Sequence, residues 1–137
     1  MHLPENLLAR LTKEYRFAVD QMAATSDISQ KIYYFSVFHG EAHRILNWEW
    51  DTRLSLVHMV MQQTYNALIT RVQGGAGAPT RIGTIVERIE EATAVLVNAI
   101  EANDDEQIVD TLARMSELAY ATGGNGTYLV EKGSLKL

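Results

Sequence analysis

Three histidines carry the pattern in this chain with the most chemical potential. His39 and His43 stand four apart in the run His-Gly-Glu-Ala-His, and His58 follows at some distance. A spacing of four sets two imidazoles one above the other on a helix, within reach of a single ion. If the chain reverses near residue 50, His58 returns to the level of His43. A second reversal near Ser26 brings Thr12 and Glu14 close to the level of His39, and Glu49 lies just beyond the pair. A set of His39, His43 and His58, with Glu14 or Glu49 as further ligand or base, would suit zinc, iron, nickel or manganese. With an open position, such an ion activates water or polarises a carbonyl, which is hydrolase-like chemistry. The plainer reading is that an edge histidine hydrogen-bonds a backbone carbonyl or water, and the primary expectation is that no cofactor is used. Neither Glu-x-x-His nor the zinc-protease His-Glu-x-x-His occurs, because Glu41 stands two before His43 and points to the other face.

The elements that must position these residues are helices. Pro4 suits a first helical turn and Glu5 the positive end of the helix dipole. Leu7, Leu8, Leu11, Tyr15, Ala18 and Met22 then form one apolar stripe. Thr25, Ser26 and Asp27 break it, and Asp27 with Gln30 reads as a capping box for a second helix. That helix carries Ile28, Ile32, Phe35, Phe38, His39, Ala42, Ile45 and Leu46, and a third carries Leu54, Val57, Met61, Tyr65, Leu68 and Val72. Residues 47–52 hold neither Gly nor Pro, so one continuous helix would be conceivable there. The centre of the apolar stripe nevertheless swings by roughly 60–80° between the two halves, which favours a break. The break matters: on a continuous helix His43 and His58 would lie roughly 22 Å apart and no site would form.

Gly74, Gly75, Gly77 and Pro79 predict a loop over 73–79, since a helix there would lose about 1 kcal/mol per Gly and 3 for Pro. The loop lacks the Lys-Ser/Thr pair of a phosphate-binding loop. A fourth helix is expected to start near Thr80 or at Thr84, the latter paired with Glu87 as a capping box. It carries Ile82, Ile85, Val86, Ile89, Thr93, Leu96, Val97 and Ile100. Asn103, Asp104 and Asp105 end it and cap a short fifth helix with Ile108, Leu112, Met115 and Ala119. Beyond Gly123, alternation in Thr127-Tyr128-Leu129-Val130-Glu131 and the turn at Lys132-Gly133 suggest a small β-hairpin. The expected fold is therefore all-α: an antiparallel four-helix bundle over residues 1–122, with a short fifth helix. A C-terminal extension over 123–137 would dock on the bundle or on a second subunit.

Composition bounds the function. The chain has 137 residues, 12 basic against 17 acidic side chains, a net charge of −5, 47% hydrophobic residues and no Cys. That is one domain with enough apolar content to fold unaided. The lack of Cys excludes disulfide scaffolds, thiol catalysis and Cys-ligated metals. An acidic balance argues against nucleic acid, and no run approaches the roughly 20 apolar residues of a membrane span or the pattern of a secretory signal. A cytoplasmic location is expected.

Aromatic residues offer a second functional reading. Tyr33, Tyr34, Trp48 and Trp50 cluster around the second helix, while Val37, Trp48 and Leu56 fall off the apolar stripes. Apolar residues on a second helix face mark partner contacts more often than cofactor pockets. Tyr34, Val37, Trp48, Trp50 and Leu56 are thus the expected interface of a homodimer or larger assembly, or of a contact with another protein. Glu87-x-x-Glu90 followed by Glu101-x-x-Asp104 resembles the paired carboxylates with which all-α nucleotide pyrophosphohydrolases hold magnesium. Here the gap is short and the second pair straddles a predicted helix end, so a solvated acidic face is expected instead. Three histidines in a bundle of this size are similar to DinB-type metal-binding bundles. Those place the His-x-x-x-His pair on a later helix than the lone His, whereas here the pair comes first. Haemerythrin-like bundles use more His and carboxylate ligands, and the chain is assigned to neither family. The function read from sequence is a small soluble helical module of self-association or protein interaction, with a metal-dependent enzyme as the alternative.

Overall fold

The computed structural model describes residues 1–72 and 81–137, apart from the side chains of 124 and 125. The predicted glycine loop at 73–79 and the helix start at Thr80 lie outside the described residues. Six helices are present among the described residues: α1 Glu5–Ala23, α2 Ile28–Leu46, α3 Thr52–Val72, α4 Ile82–Glu101, α5 Asp105–Ala121 and α6 Gly124–Lys132. No strand occurs among them, so the protein is all-α.

Local chemistry explains most of the boundaries. Asp27 Oδ1 accepts the Gln30 backbone N–H at 3.1 Å and starts α2. Only half of the predicted box forms, because the Gln30 side chain pairs with the Thr25 hydroxyl at 2.8 Å. The break between α2 and α3 is real. Asp51, buried at that corner, accepts the Leu54 N–H at 2.8 Å and the His2 N–H at 2.7 Å, capping α3. Asn103, with φ 52°, ends α4 in the left-handed conformation that Asn tolerates, and Asp104 then accepts from Gln107 N–H to start α5. The Thr84 start is corrected: α4 begins at Ile82, with Arg81 at its N-cap and Thr84 exposed inside the first turn.

The helices touch as α1–α2, α2–α3, α3–α5, α5–α4 and α4–α1, a closed circuit, with α2 also reaching α4. Residues of the apolar stripes fill its centre: Leu11, Tyr15, Phe35, Phe38, Leu54, Met61, Ile89, Leu96, Ile108 and Met115 are all fully buried. The fifth helix is not short. It runs 17 residues against 19 for α1, because Ile108, Leu112, Met115 and Leu118 keep one buried face for its whole length.

The expected hairpin is also corrected. Thr127 to Glu131 lies within α6, which ends on Gly133 in the left-handed conformation, with Ser134 N–H donating to the Leu129 carbonyl at 2.9 Å. Alternation over five residues is too short to separate strand from helix, and docking on α5 decides the outcome. Val130, Leu135 and Leu137 pack against the core of their own chain. Gly126 makes this docking close: a Cβ there would collide with the Tyr120 carbonyl oxygen and come within 2.6 Å of the Ala121 Cα. Gly126→Ala should therefore cost about 1–3 kcal/mol and speed amide exchange across α6, as read by mass spectrometry. Unchanged exchange would contradict the close packing of α6 on α5.

Candidate functional site

The corner between α2 and α3 brings together most of the residues singled out above. Contacts between the two helices run in opposite chain order: His43 meets His58, His39 meets Tyr65, and Ile32 and Tyr33 share a cleft with Tyr65, Ile69 and Val72. The ring centres of His43 and His58 are 5.3 Å apart, with their planes inclined at 31°. His43 is exposed and His58 half-buried. His39 packs on Tyr65 with ring centres 4.9 Å apart, and its Nε2 is buried without a hydrogen-bond partner.

Electrostatics disfavours the charged form of His39 and His58. Burial is the main influence lowering the affinity of His39 for a proton, and the neighbouring His58 and His43 lower it further. His58 is shifted the same way, by burial first and His43 second. A neutral imidazole offers a nitrogen lone pair, and the shifts at His39 and His58 favour that form.

The carboxylates of the expected set behave differently. The side chains of Glu14 and Glu49 enter none of the hydrogen bonds or ion pairs found among the described residues, and Glu49 is exposed. Thr12 Oγ1 is engaged with the Leu8 and Ala9 carbonyls of its own helix. Among the described residues, no group of three or more His, Cys, Asp or Glu side chains is placed to hold one ion. Glu41 faces α1 and is clamped by Arg10 at 2.6 Å and Arg44 at 2.8 Å. Two acidic residues of α4 are likewise engaged: Glu90 pairs with Lys31 at 2.6 Å, and Glu101 takes both ends of the Arg16 guanidinium.

The aromatic surface divides in two. Trp48, at 84% exposure, and Trp50, at 68%, project from the corner, with Leu56 and Met59 exposed on the following helix. Their backbone is braced. Trp48 and Glu49 N–H both donate to the Ile45 carbonyl at 2.9 Å, and Asp51 is fixed by its cap. Tyr34 and Val37, by contrast, are half-buried against the chain's own core. Their off-stripe positions are explained by α2 having neighbours on both sides, α1 and α3, so that a second apolar face is needed within one chain.

Sequence reasoning overlooked three features. Phe17 extends the tyrosine pair into an edge-on cluster, 6.2 Å from Tyr34, which itself lies 5.3 Å from Tyr33. Met59 is exposed on α3, a position foreshadowed by its place off the third stripe. A cleft of about 130 Å³ opens between α3 and α5, lined by Val60, Thr64, Ala67, Ala119 and Tyr120 among others. No sequence signal marks it, because it depends on which helices become neighbours. No protein-family model, curated protein or solved structure matches this chain.

Proposed function

We propose that this protein is a self-associating helical module whose contact surface is the corner between α2 and α3. The observation that carries the reading is the pair of indoles, Trp48 and Trp50, held out to solvent on a backbone braced by Ile45 and Asp51. A rigid loop loses little conformational freedom when its tryptophans are covered, and tryptophan is among the residues most enriched at interface hot spots. Leu56 and Met59 add exposed apolar surface on α3. Self-complementary association of this kind is the commonest route to a soluble oligomer.

On this reading the occupant is a second copy, with a different protein as the substitute partner. The helices form an antiparallel bundle, supported by the opposed order of contacts between α1 and α2, where Arg10 meets Glu41 and Phe17 meets Tyr34. The proposed setting is cytoplasmic, with neither nucleic acid nor membrane as partner. The charge of −5 supports the first exclusion, and the second draws on the fact that no helix among the described residues is long and apolar enough to cross a membrane.

Light scattering at micromolar concentration should return a mass at least twice the 15.3 kDa of one chain. The double variant Trp48→Ala, Trp50→Ala should weaken association by roughly thirtyfold or more, the size expected for loss of a hot spot of about 2 kcal/mol. A wild-type protein that stays monomeric at about 50 μM would sink the proposal.

A further inference from the structure

Two imidazoles from different helices stand at one level beside the assembly surface. In a tetrahedral complex the ligand nitrogen lies about 2.1 Å from zinc, and the ring centre roughly 1.1 Å beyond it. Two such rings then have centres about 5.2 Å apart, and a square-planar angle shortens this to about 4.5 Å. The rings of His43 and His58 are 5.3 Å apart. Each belongs to a different helix, and the two helices pack along one another, so the spacing is set by the fold rather than by loop motion.

Access and competition are favourable too. His43 is exposed, giving an ion a path from solvent, while half-buried His58 is the anchored partner. The nearest buried carboxylate on α2, Glu41, is occupied by Arg10 and Arg44 and faces α1 instead. His39 lies one turn before His43 but is committed to packing on Tyr65.

We infer that His43 and His58 together form a two-histidine site for zinc or a similar imidazole-preferring divalent ion, clipping α2 to α3. Water or a group from outside the chain fills the remaining coordination positions. The site is a structural clip whose occupancy tightens the corner.

The main competitor on this chain is His2, which lines an open cleft of about 380 Å³ with Asp51 and Asp105. The experiment is therefore calorimetric titration of zinc chloride into tag-free wild-type protein and into His2→Ala, His43→Ala and His58→Ala. Wild type and His2→Ala should bind one zinc per chain with similar affinity. His43→Ala should bind at least tenfold more weakly, and because His43 is exposed its far-UV circular dichroism should match wild type. In wild type the urea midpoint should rise with zinc, and the rise should vanish in His43→Ala. A wild-type chain that takes up no zinc at 1 mM overturns the inference, as does loss of binding in His2→Ala alone. Equal binding by wild type and His43→Ala does the same. Sizing the same samples keeps this result separate from self-association, since a failed zinc titration leaves the mass unaltered.

Discussion

Phe38→Ala should remove about 3–5 kcal/mol of stability, the range for truncating a buried aromatic side chain. Phe38 is fully buried where α1 and α2 meet. Its ring centre lies 4.7 Å from that of Tyr15 and 5.5 Å from that of Phe35, both in tilted geometry that favours ring edges over faces. An alanine would leave a cavity bounded by two rings that are themselves pinned. Tyr15 cannot swing into the space, because its hydroxyl donates to the Phe38 backbone carbonyl at 2.6 Å, a bond the substitution leaves in place. The same burial, reinforced by the charge of Glu41, pushes the Tyr15 hydroxyl far above the usual phenol range, so it stays a donor at any pH compatible with folding. Against a total stability of about 5–15 kcal/mol, the loss is a fifth or more. Urea unfolding followed by circular dichroism reads it directly. Phe38→Leu, which retains most of the volume, should lose under about 1.5 kcal/mol. A loss below 1 kcal/mol in Phe38→Ala would mean that the aromatic cluster is not the centre of the α1–α2 contact.

The second large effect lies one turn further along α2. The Glu41 side chain is 2% exposed, whereas its two partners, Arg10 and Arg44, are 51% and 63% exposed. The acid is thus the buried half of a clamp whose positive halves reach it from the surface. Removing the arginines leaves a carboxylate with neither solvent nor counter-charge, and uncompensated buried charge typically costs about 3–5 kcal/mol. That is the loss expected for Arg10→Ala, Arg44→Ala together. Each single variant should lose much less, since the remaining arginine still contacts one oxygen. Adding Glu41→Met to the double variant should recover most of the stability, because an apolar side chain of similar length needs no partner. If the triple variant is no more stable than the double, the clamp acts through the packing of the arginine stems rather than through charge.

The legible parts of this fold were those decided by short-range chemistry. Asp27 and Asp104 mark helix starts because a carboxylate three residues ahead of an N–H caps it wherever the rest of the chain goes. The break before α3 was legible from the swing of the apolar stripe, and with it the meeting of His43 and His58, since a reversal fixes which residues share a level. Long-range decisions were hidden. Tyr34 and Val37 read as surface from α2 alone and became half-buried once both α1 and α3 packed on that helix. The run from Thr127 to Glu131 alternates like a strand, yet α5 offered a surface on which Gly126 could seat a helix. Thr84 has the right partner for a cap at Glu87, but helix propagation from Ile82 absorbed it. Of the expected metal ligands, Glu14 was placed by level only, and level does not dictate where a flexible carboxylate goes.

The circuit of helices has a kinetic corollary. Contacts of α1 with α2, α2 with α3 and α4 with α5 join sequence neighbours, whereas α1 with α4 and α3 with α5 join the two halves of the chain. The ion pairs along that seam span long stretches: Arg16 to Glu101 is 85 positions and Lys31 to Glu90 is 59. Closing a loop of that length carries an entropic cost that a helical hairpin avoids. By topology, each half gathers its own helices early and the seam closes last, so in the native state the two halves are the units expected to part first.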